Sequence, residues 1–140
     1  MNINDKAKFY SEIERVLTNK GTLIYYDIFM KDNEDVNYPV PWANDASVSF
    51  LATITNMDNL LKDLKFTKIQ TTDQTNNSIK FLKAISEKFE ENGTPRLSLN
   101  VLMGASTKEK LGNILKGLEE NKIVLQSGIY KKREIVTTYN

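Results

Sequence analysis

Apolar residues recur at helical spacing in the first part of the chain. Phe9, Ile13 and Val16 lie three or four positions apart, between the possible cap Asp5 and Gly21. This punctuation predicts a helix over about 5–19. Similar stripes predict helices that begin at Thr55, Ser78 and Ser106, and the Thr55-x-x-Asp58 and Ser106-x-x-Glu109 patterns resemble capping boxes.

Three other segments favour strands. Residues 22–29 are apolar at nearly every position, which is typical of a strand covered on both faces. Residues 66–72 and 123–130 are also strand-like. The alternation of helices and strands predicts an α/β layer structure in one domain, 1–140.

The segment 30–52 differs from its neighbours because it combines a polar run with Pro39, Pro41 and Trp42. Loops of this length are uncommon in small domains and often bind ligands, so we predict a substrate-type loop here. The end of the chain, 131–140, is predicted to be a polar tail.

Composition narrows the possible chemistry. The formal charge is +1, and the chain has no cysteine and no histidine. A neutral balance argues against nucleic acid and membrane surfaces as partners, while the missing side chains exclude thiol catalysis and the commonest general base. We expect no metal site, no signal peptide and no membrane span, and therefore a cytoplasmic protein.

Two stretches carry a resemblance to a known family. Glu12-Ile13-x-Arg15-Val16-Leu17-x-x-x-Gly21-x-Leu23 is similar to the helix and turn before the fifth strand of class I S-adenosylmethionine-dependent methyltransferases. Thr18-Asn19-Lys20-Gly21 replaces the usual Lys-Pro-Gly-Gly turn, and Gly21 is expected to supply its positive φ. Tyr38-Pro39-Val40-Pro41-Trp42-Ala43 resembles a narrower group, related to sarcosine and dimethylglycine N-methyltransferases.

The resemblance implies the C-terminal half of that fold. It implies a partial Rossmann-like sheet of the fifth to seventh strands, with the seventh antiparallel between the other two. The family grips its cofactor with a glycine-rich turn, and no two of the six glycines here lie close enough to form one. S-adenosylmethionine is therefore expected only if a missing N-terminal half completes the protein, and no cofactor is expected for the isolated chain.

Strand 22–29 would then have an unpaired edge, because its neighbour belongs to the other half of the family fold. Three kinds of cover are possible: a complementing N-terminal half, a homodimer through the exposed strand 22–29, or the tail segment 135–139.

Five residues are candidates for substrate binding. Asp27, near the end of a predicted strand, could orient or deprotonate an amine, or could simply begin the loop. Tyr38 and Trp42 could form an aromatic surface that binds a cation. The alternative for Trp42 is a structural role, as a hydrophobic side chain that covers the sheet. Ser47 and Phe50 share the loop and are weaker candidates. Catalytic residues are unknown, and no residue is assigned to cofactor binding.

These observations lead to two functional hypotheses. The first is a truncated or split S-adenosylmethionine-dependent methyltransferase domain that acts on a small molecule and is inactive without its other half. The second is a non-catalytic homodimeric remnant or a small-ligand-binding protein.

Overall fold

A computed structural model describes residues 1–31, 36–93 and 99–134 of the chain. Its helices are α1 (Lys6–Val16), α2 (Ile54–Asp63), α3 (Thr75–Asn92), α4 (Asn100–Met103) and α5 (Thr107–Glu119). Its strands are β1 (Thr22–Met30), β2 (Phe66–Asp73) and β3 (Ile123–Lys132). Short 3-10 turns cover Ala46–Val48 and Gly104–Ser106.

The three strands form one sheet in the order β1-β3-β2, and β3 is antiparallel to both neighbours. This confirms the expected arrangement, in which the last strand lies between the other two. It also makes β1 and β2 the two edges of the described sheet.

Two apolar clusters hold the layers together. On one face of the sheet, α1 and α2 pack over a cluster whose buried members are Tyr10, Phe29, Met57, Leu61, Phe66 and Tyr130. On the other face, α5 and the loop after β1 share a second cluster with Val36, Val40, Ala43, Ile114, Leu118 and Ile123. Ile79 and Leu82 of α3 pack against this second cluster.

The two-sided burial expected for β1 is wrong for part of the strand. Exposed and half-buried residues alternate from Thr22 to Asp27, and the side chains of Ile24 and Tyr26 are 70% and 63% exposed. The second cluster covers only the Ile28 end of this face.

The turn before β1 also differs from expectation. The positive φ belongs to Lys20, at 61°, and not to Gly21. Gly21 is needed for space instead, because a Cβ there would lie 2.8 Å from the carbonyl oxygen of Thr18.

Several element boundaries are shifted. α2 begins after Thr53, whose hydroxyl accepts a hydrogen bond from the Asn56 N–H, and not at Thr55. α3 begins at Thr75, three residues before Ser78. Ser106 precedes α5 but makes no side-chain cap bond. β3 continues to Lys132, into the predicted tail, and the proposed cover 135–139 lies outside the described residues.

Candidate functional site

The start of the chain, the end of β1 and the loop after it meet at one side of the sheet. The Asn2 side-chain amide donates to the carbonyl oxygens of Trp42 and Val48, the latter at 3.1 Å. The Phe50 N–H donates to the Met1 carbonyl oxygen at 2.9 Å. These bonds hold the loop against the first residues of the chain, next to a cavity that Phe50 lines.

The cavity has a volume of about 430 Å³. Its lining comes from the start of the chain, the end of β1, the loop and α2: Asn4, Lys6, Met30, Ser49, Phe50, Leu51, Ala52, Asn56, Met57 and Leu60. The mixture of apolar walls with a few amide and ammonium groups is typical of small-molecule sites.

Asp27 lies close to the charged groups of this region. Its carboxylate is 4.0 Å from the Met1 ammonium nitrogen, and its Oδ1 accepts a hydrogen bond from the Ile28 N–H at 2.8 Å. One third of the Asp27 side chain is exposed. The carboxylate therefore already holds an ammonium group at the edge of the site.

Burial and charge shift the protonation of nearby groups. Burial lowers the pKa of the Met1 amino group, Asp27 opposes this, and Lys6 adds to it. Burial also lowers the pKa of Lys6, again opposed by Asp27. For Tyr10, burial first and the Asp27 charge second raise the pKa to about 12. The Asp27 charge thus influences the pKa of all three groups.

The loop aromatic residues are placed differently from one another. Trp42 donates from Nε1 to Ser49 Oγ at 3.0 Å, and it packs with Tyr38 against the second apolar cluster. Tyr38 precedes a cis peptide bond to Pro39, and the Pro39 carbonyl oxygen accepts from the Asn113 side chain at 2.9 Å. These contacts fix the loop to α5.

Among the predicted site residues, only Phe50 lines the cavity. Asp27 and Trp42 do not line it, but they contact the first residues of the chain: Asp27 pairs with the Met1 ammonium, and the Trp42 carbonyl oxygen accepts from Asn2. Ser47 is exposed, and its N–H and hydroxyl both donate to Asp45 Oδ1. Whether these residues bind substrate stays a prediction. The sequence did not indicate Lys6 or Asn56 as site residues. They lie next to the loop residues of the cavity only because the chain folds α1 and α2 against the loop.

A second cavity, of about 480 Å³, lies between the start of α2 and the ends of the strands. Lys31, Thr53, Asp73 and Gln126 contribute its polar groups. The hydroxyl and N–H of Thr75, and then the Lys31 charge, lower the pKa of Asp73. The Asp73 carboxylate therefore stabilises the first turn of α3 through Thr75, and it is not a free acid in this cavity.

The described residues do not fit an adenosyl cofactor. At the β2–α3 junction, which has no glycine, the Thr75 N–H donates to Asp73 and the Gln74 N–H donates to the Leu125 carbonyl oxygen. At the start of α2, the Asn56 N–H is occupied by Thr53. A cradle for the ribose and adenine of such a cofactor needs close backbone approach, which these glycine-free junctions do not offer. Within the described part of the chain there is also no cluster of acidic side chains that could hold a metal ion.

Comparison with known proteins supplies the context. No family model and no curated protein match the chain. Among solved structures, a protein described as a sarcosine dimethylglycine methyltransferase from Galdieria sulphuraria matches with a TM-score of 0.72 and 15% identity. The match covers 97% of this chain and 51% of that one.

Phosphoethanolamine N-methyltransferase 2 of Haemonchus contortus, solved with S-adenosyl-L-methionine, matches with a TM-score of 0.68 and 15% identity, over 95% of this chain and 31% of that one. The cyclopropane synthase MmaA2 of Mycobacterium tuberculosis matches with a TM-score of 0.63 and 12% identity, over 90% and 49% of the two chains. The chain thus spans about half or less of these proteins. It has the fold of a part of the Rossmann-like, S-adenosylmethionine-dependent methyltransferases, as the sequence resemblance implied.

Proposed function

We propose that this chain is the substrate-side half of an S-adenosylmethionine-dependent methyltransferase that acts on a small amine. The observation that carries the proposal is the fold match over 97% of this chain but 51% of its neighbour, combined with a cavity lined by Lys6, Phe50 and Met57. The described residues do not fit the cofactor, so a complementing half must supply that site.

The part of this chain is to bind and orient the methyl acceptor and to keep water out. Those two effects suit methyl transfer, which needs alignment more than acid–base catalysis, and the chain has no histidine to supply the latter. Asp27 would attract the ammonium form of an amine, as it does the Met1 ammonium at 4.0 Å, and would accept the proton that the nitrogen must lose before its lone pair can take the methyl group. Phe50 and Met57 would pack against the carbon atoms of the acceptor.

The acceptor is proposed to be a secondary or tertiary amine of the sarcosine type, by analogy with the neighbour from Galdieria sulphuraria. Its carboxylate would lie near Lys6, the cation that lines the cavity. A cavity with apolar walls and one basic side chain, Lys6, which is close enough to Asp27 for their charges to interact, suits a small zwitterion.

Two titrations of the 140-residue chain test the proposal. In the first, the amide NMR spectrum is recorded with increasing sarcosine or dimethylglycine. We expect shifts at Lys6, Asp27 and Phe50, and an affinity at least about fivefold weaker for Asp27→Asn, because a charged hydrogen-bond partner is lost. Asp45→Asn is the matched control, since Asp45 is an exposed carboxylate that bonds Ser47 away from the cavity.

In the second titration, calorimetry measures S-adenosylmethionine binding to the chain alone, and we expect none. Cofactor binding by the lone chain would refute the need for a complementing half. Amine-induced shifts confined to other parts of the chain, or unaffected by Asp27→Asn, would refute the substrate role.

A further inference from the structure

The outer edge of β1 has a defined set of unpaired backbone groups. The Lys31 N–H donates to the Lys122 carbonyl oxygen on the β3 side, while the Met30 N–H donates to the Ala52 carbonyl oxygen on the opposite side. Successive residues of a strand point their backbone groups to opposite sides, so the even-numbered residues of β1 face outward. They are Thr22, Ile24, Tyr26 and Ile28.

Asp27 closes one end of this edge. Its Oδ1 accepts from the Ile28 N–H, which is the outward N–H next to Met30. Among the described residues, no backbone hydrogen bond joins the outward groups of Thr22, Ile24 or Tyr26 to another segment. The open edge therefore consists of these three residues.

The open edge is apolar on both sides. Ile24 and Tyr26 are exposed on one face of the sheet. On the other face, the exposed large apolar side chains of α1 are Phe9 at 40% and Val16 at 65%. At about 3.6 residues per turn, Phe9 and Val16 lie roughly opposite Glu14 around the helix.

Glu14 marks the side of α1 that faces the sheet centre. Lys132 of β3 pairs with the Glu14 carboxylate at 2.8 Å and donates to the carbonyl oxygens of Glu14 and Leu17 at 2.6 and 3.0 Å. The C-terminal end of α1 is thus tied towards β3. Phe9 and Val16 consequently face the free side of β1, and the helix does not close that edge.

The two edges of the sheet differ in how they resist pairing. β2 has a register shift between Lys68 and Gln70, and seven of its eight residues are exposed. Irregular, lysine-containing edges of this kind discourage strand addition. β1 has no such irregularity, and Asp27 is its one charged residue. Within the described residues, one edge of the sheet is therefore protected and the other is available.

We propose that the isolated chain forms a two-fold symmetric dimer in which β1 pairs antiparallel with β1 of a second copy. Ile24 lies opposite Ile24 of the second copy, and Thr22 lies opposite Tyr26. This register pairs every outward N–H and C=O group of the three open residues, and it ends before the Ile28 N–H that Asp27 occupies.

Charge and shape agree with this register. Asp27 falls opposite Gly21 of the second copy, so no like charges face each other across the new ladder. The exposed Ile24 and Tyr26 side chains of both copies form one apolar row, and the two Phe9–Val16 surfaces approach across the symmetry axis. A self-complementary patch of this kind is what a two-fold interface requires.

The inference rests on the fold and on β1, and does not depend on the proposed function. A complementing half that supplies a strand would pair with the same edge and would therefore compete with the dimer. A monomeric chain would refute the dimer and leave the substrate and cofactor titrations unaffected.

Sedimentation velocity of the full chain from about 1 to about 100 µM tests the association. We expect a species of twice the 16.0 kDa chain mass to dominate at the upper concentrations. Ile24→Lys places two ammonium groups side by side at the axis and should shift the midpoint at least about tenfold. Ile69→Lys is the matched control, because Ile69 is a 58% exposed isoleucine on the other edge strand.

Far-UV circular dichroism and the thermal midpoint of both variants establish that each is folded. A monomer throughout the concentration range overturns the proposal. So does a dimer that survives Ile24→Lys but dissociates with Ile69→Lys, because the β2 edge would then be the interface.

Single cysteines test the register, because the natural chain has none. Facing Cα atoms of a hydrogen-bonded antiparallel pair are about 5.5 Å apart, within the range that a disulfide spans. Ile24→Cys should therefore cross-link under mild oxidation. Tyr26→Cys should not, because the two Tyr26 positions would lie about 13 Å apart along the strands. Cross-linking of Tyr26→Cys without that of Ile24→Cys overturns the proposed pairing.

Discussion

Gly128 is expected to be the glycine at which an added methyl group is most costly. It lies opposite Tyr25 in the β1–β3 ladder, and the Tyr25 ring covers it. A Cβ at position 128 would lie 2.5 Å from Tyr25 Cζ and 2.6 Å from its Oη. Gly128→Ala therefore requires the ring to move.

The cost can be estimated from what the ring contacts. The Tyr25 ring centroid lies 5.7 Å from that of Phe29 and 5.9 Å from that of Tyr130, and its hydroxyl donates to Gln126. Overpacking costs about 1–3 kcal/mol, and a disturbed aromatic pair about 0.5–1.5 kcal/mol. The lower entropy of alanine in the unfolded chain offsets about 0.4–1 kcal/mol. We expect Gly128→Ala to lower the free energy of unfolding by about 1–3.5 kcal/mol.

Urea denaturation followed by circular dichroism, at one fixed protein concentration, measures this change. Gly112→Ala is the control: Gly112 lies within α5 and a Cβ there meets no atom within 4 Å, so alanine should raise stability by about 0.5–1 kcal/mol. In a Tyr25→Val background, the cost of Gly128→Ala should largely disappear. A Gly128→Ala protein as stable as its parent would refute the steric reasoning.

Two further predictions concern buried polar groups. Lys132→Met should lower the free energy of unfolding, measured in urea, by about 1–3 kcal/mol. The reason is that the carbonyl groups at the end of α1 and the Glu14 carboxylate lose their buried partner. Lys131→Met is the control and should have little effect, because Lys131 is exposed. Burial raises the folded-state pKa of Tyr10 and Tyr25 to about 12 from 10.0, so the unfolded chain loses these protons first. The contribution of these two tyrosines to stability should therefore be constant below about pH 10 and be lost between about pH 10 and 12. Spectrophotometric titration of the phenolate should then show tyrosines that ionise only as the chain unfolds, and ordinary titration of all six would contradict it.

Periodicity predicted the principal helices and strands because their apolar stripes are long, but it misplaced the start of α2. Asp58 looked like the acidic member of a cap that begins at Thr55. In the structure its carboxylate instead accepts from the Tyr130 hydroxyl and pairs with Lys68. These partners lie far away in sequence, so local pattern could not reveal them, and Thr53 provides the cap.

The β1 segment shows a different limit. Its continuous apolar run predicted cover on both faces, yet Ile24 and Tyr26 are exposed. Such runs are typical of strands in the middle of a sheet, whereas β1 is an edge of the described sheet. The unpaired edge itself was expected from the family resemblance, in which a strand of the other half pairs with this one, and not from the apolar run.

Apart from Asp27, which lies in β1, the candidate site could be predicted only as a set of loop residues, because its geometry depends on a contact between distant segments. Asn2 bonds two loop carbonyl groups, and Asn113 of α5 bonds a third, at Pro39. Neither asparagine carries a recognisable motif. Their bonds nevertheless determine that Phe50 faces the cavity while Tyr38 packs against the apolar cluster.

Under the proposed function, the two tasks of a methyltransferase would lie in different parts of the fold. The loop that borders the cavity is held by the chain's own residues: Trp42 bonds Ser49, Asn113 bonds Pro39, and the Phe50 N–H bonds Met1. None of these contacts requires a bound cofactor, so the acceptor cavity can be formed before any second half binds. A complementing half would then need to add only a cofactor cradle and a strand, and its association would cost little reorganisation of the substrate side.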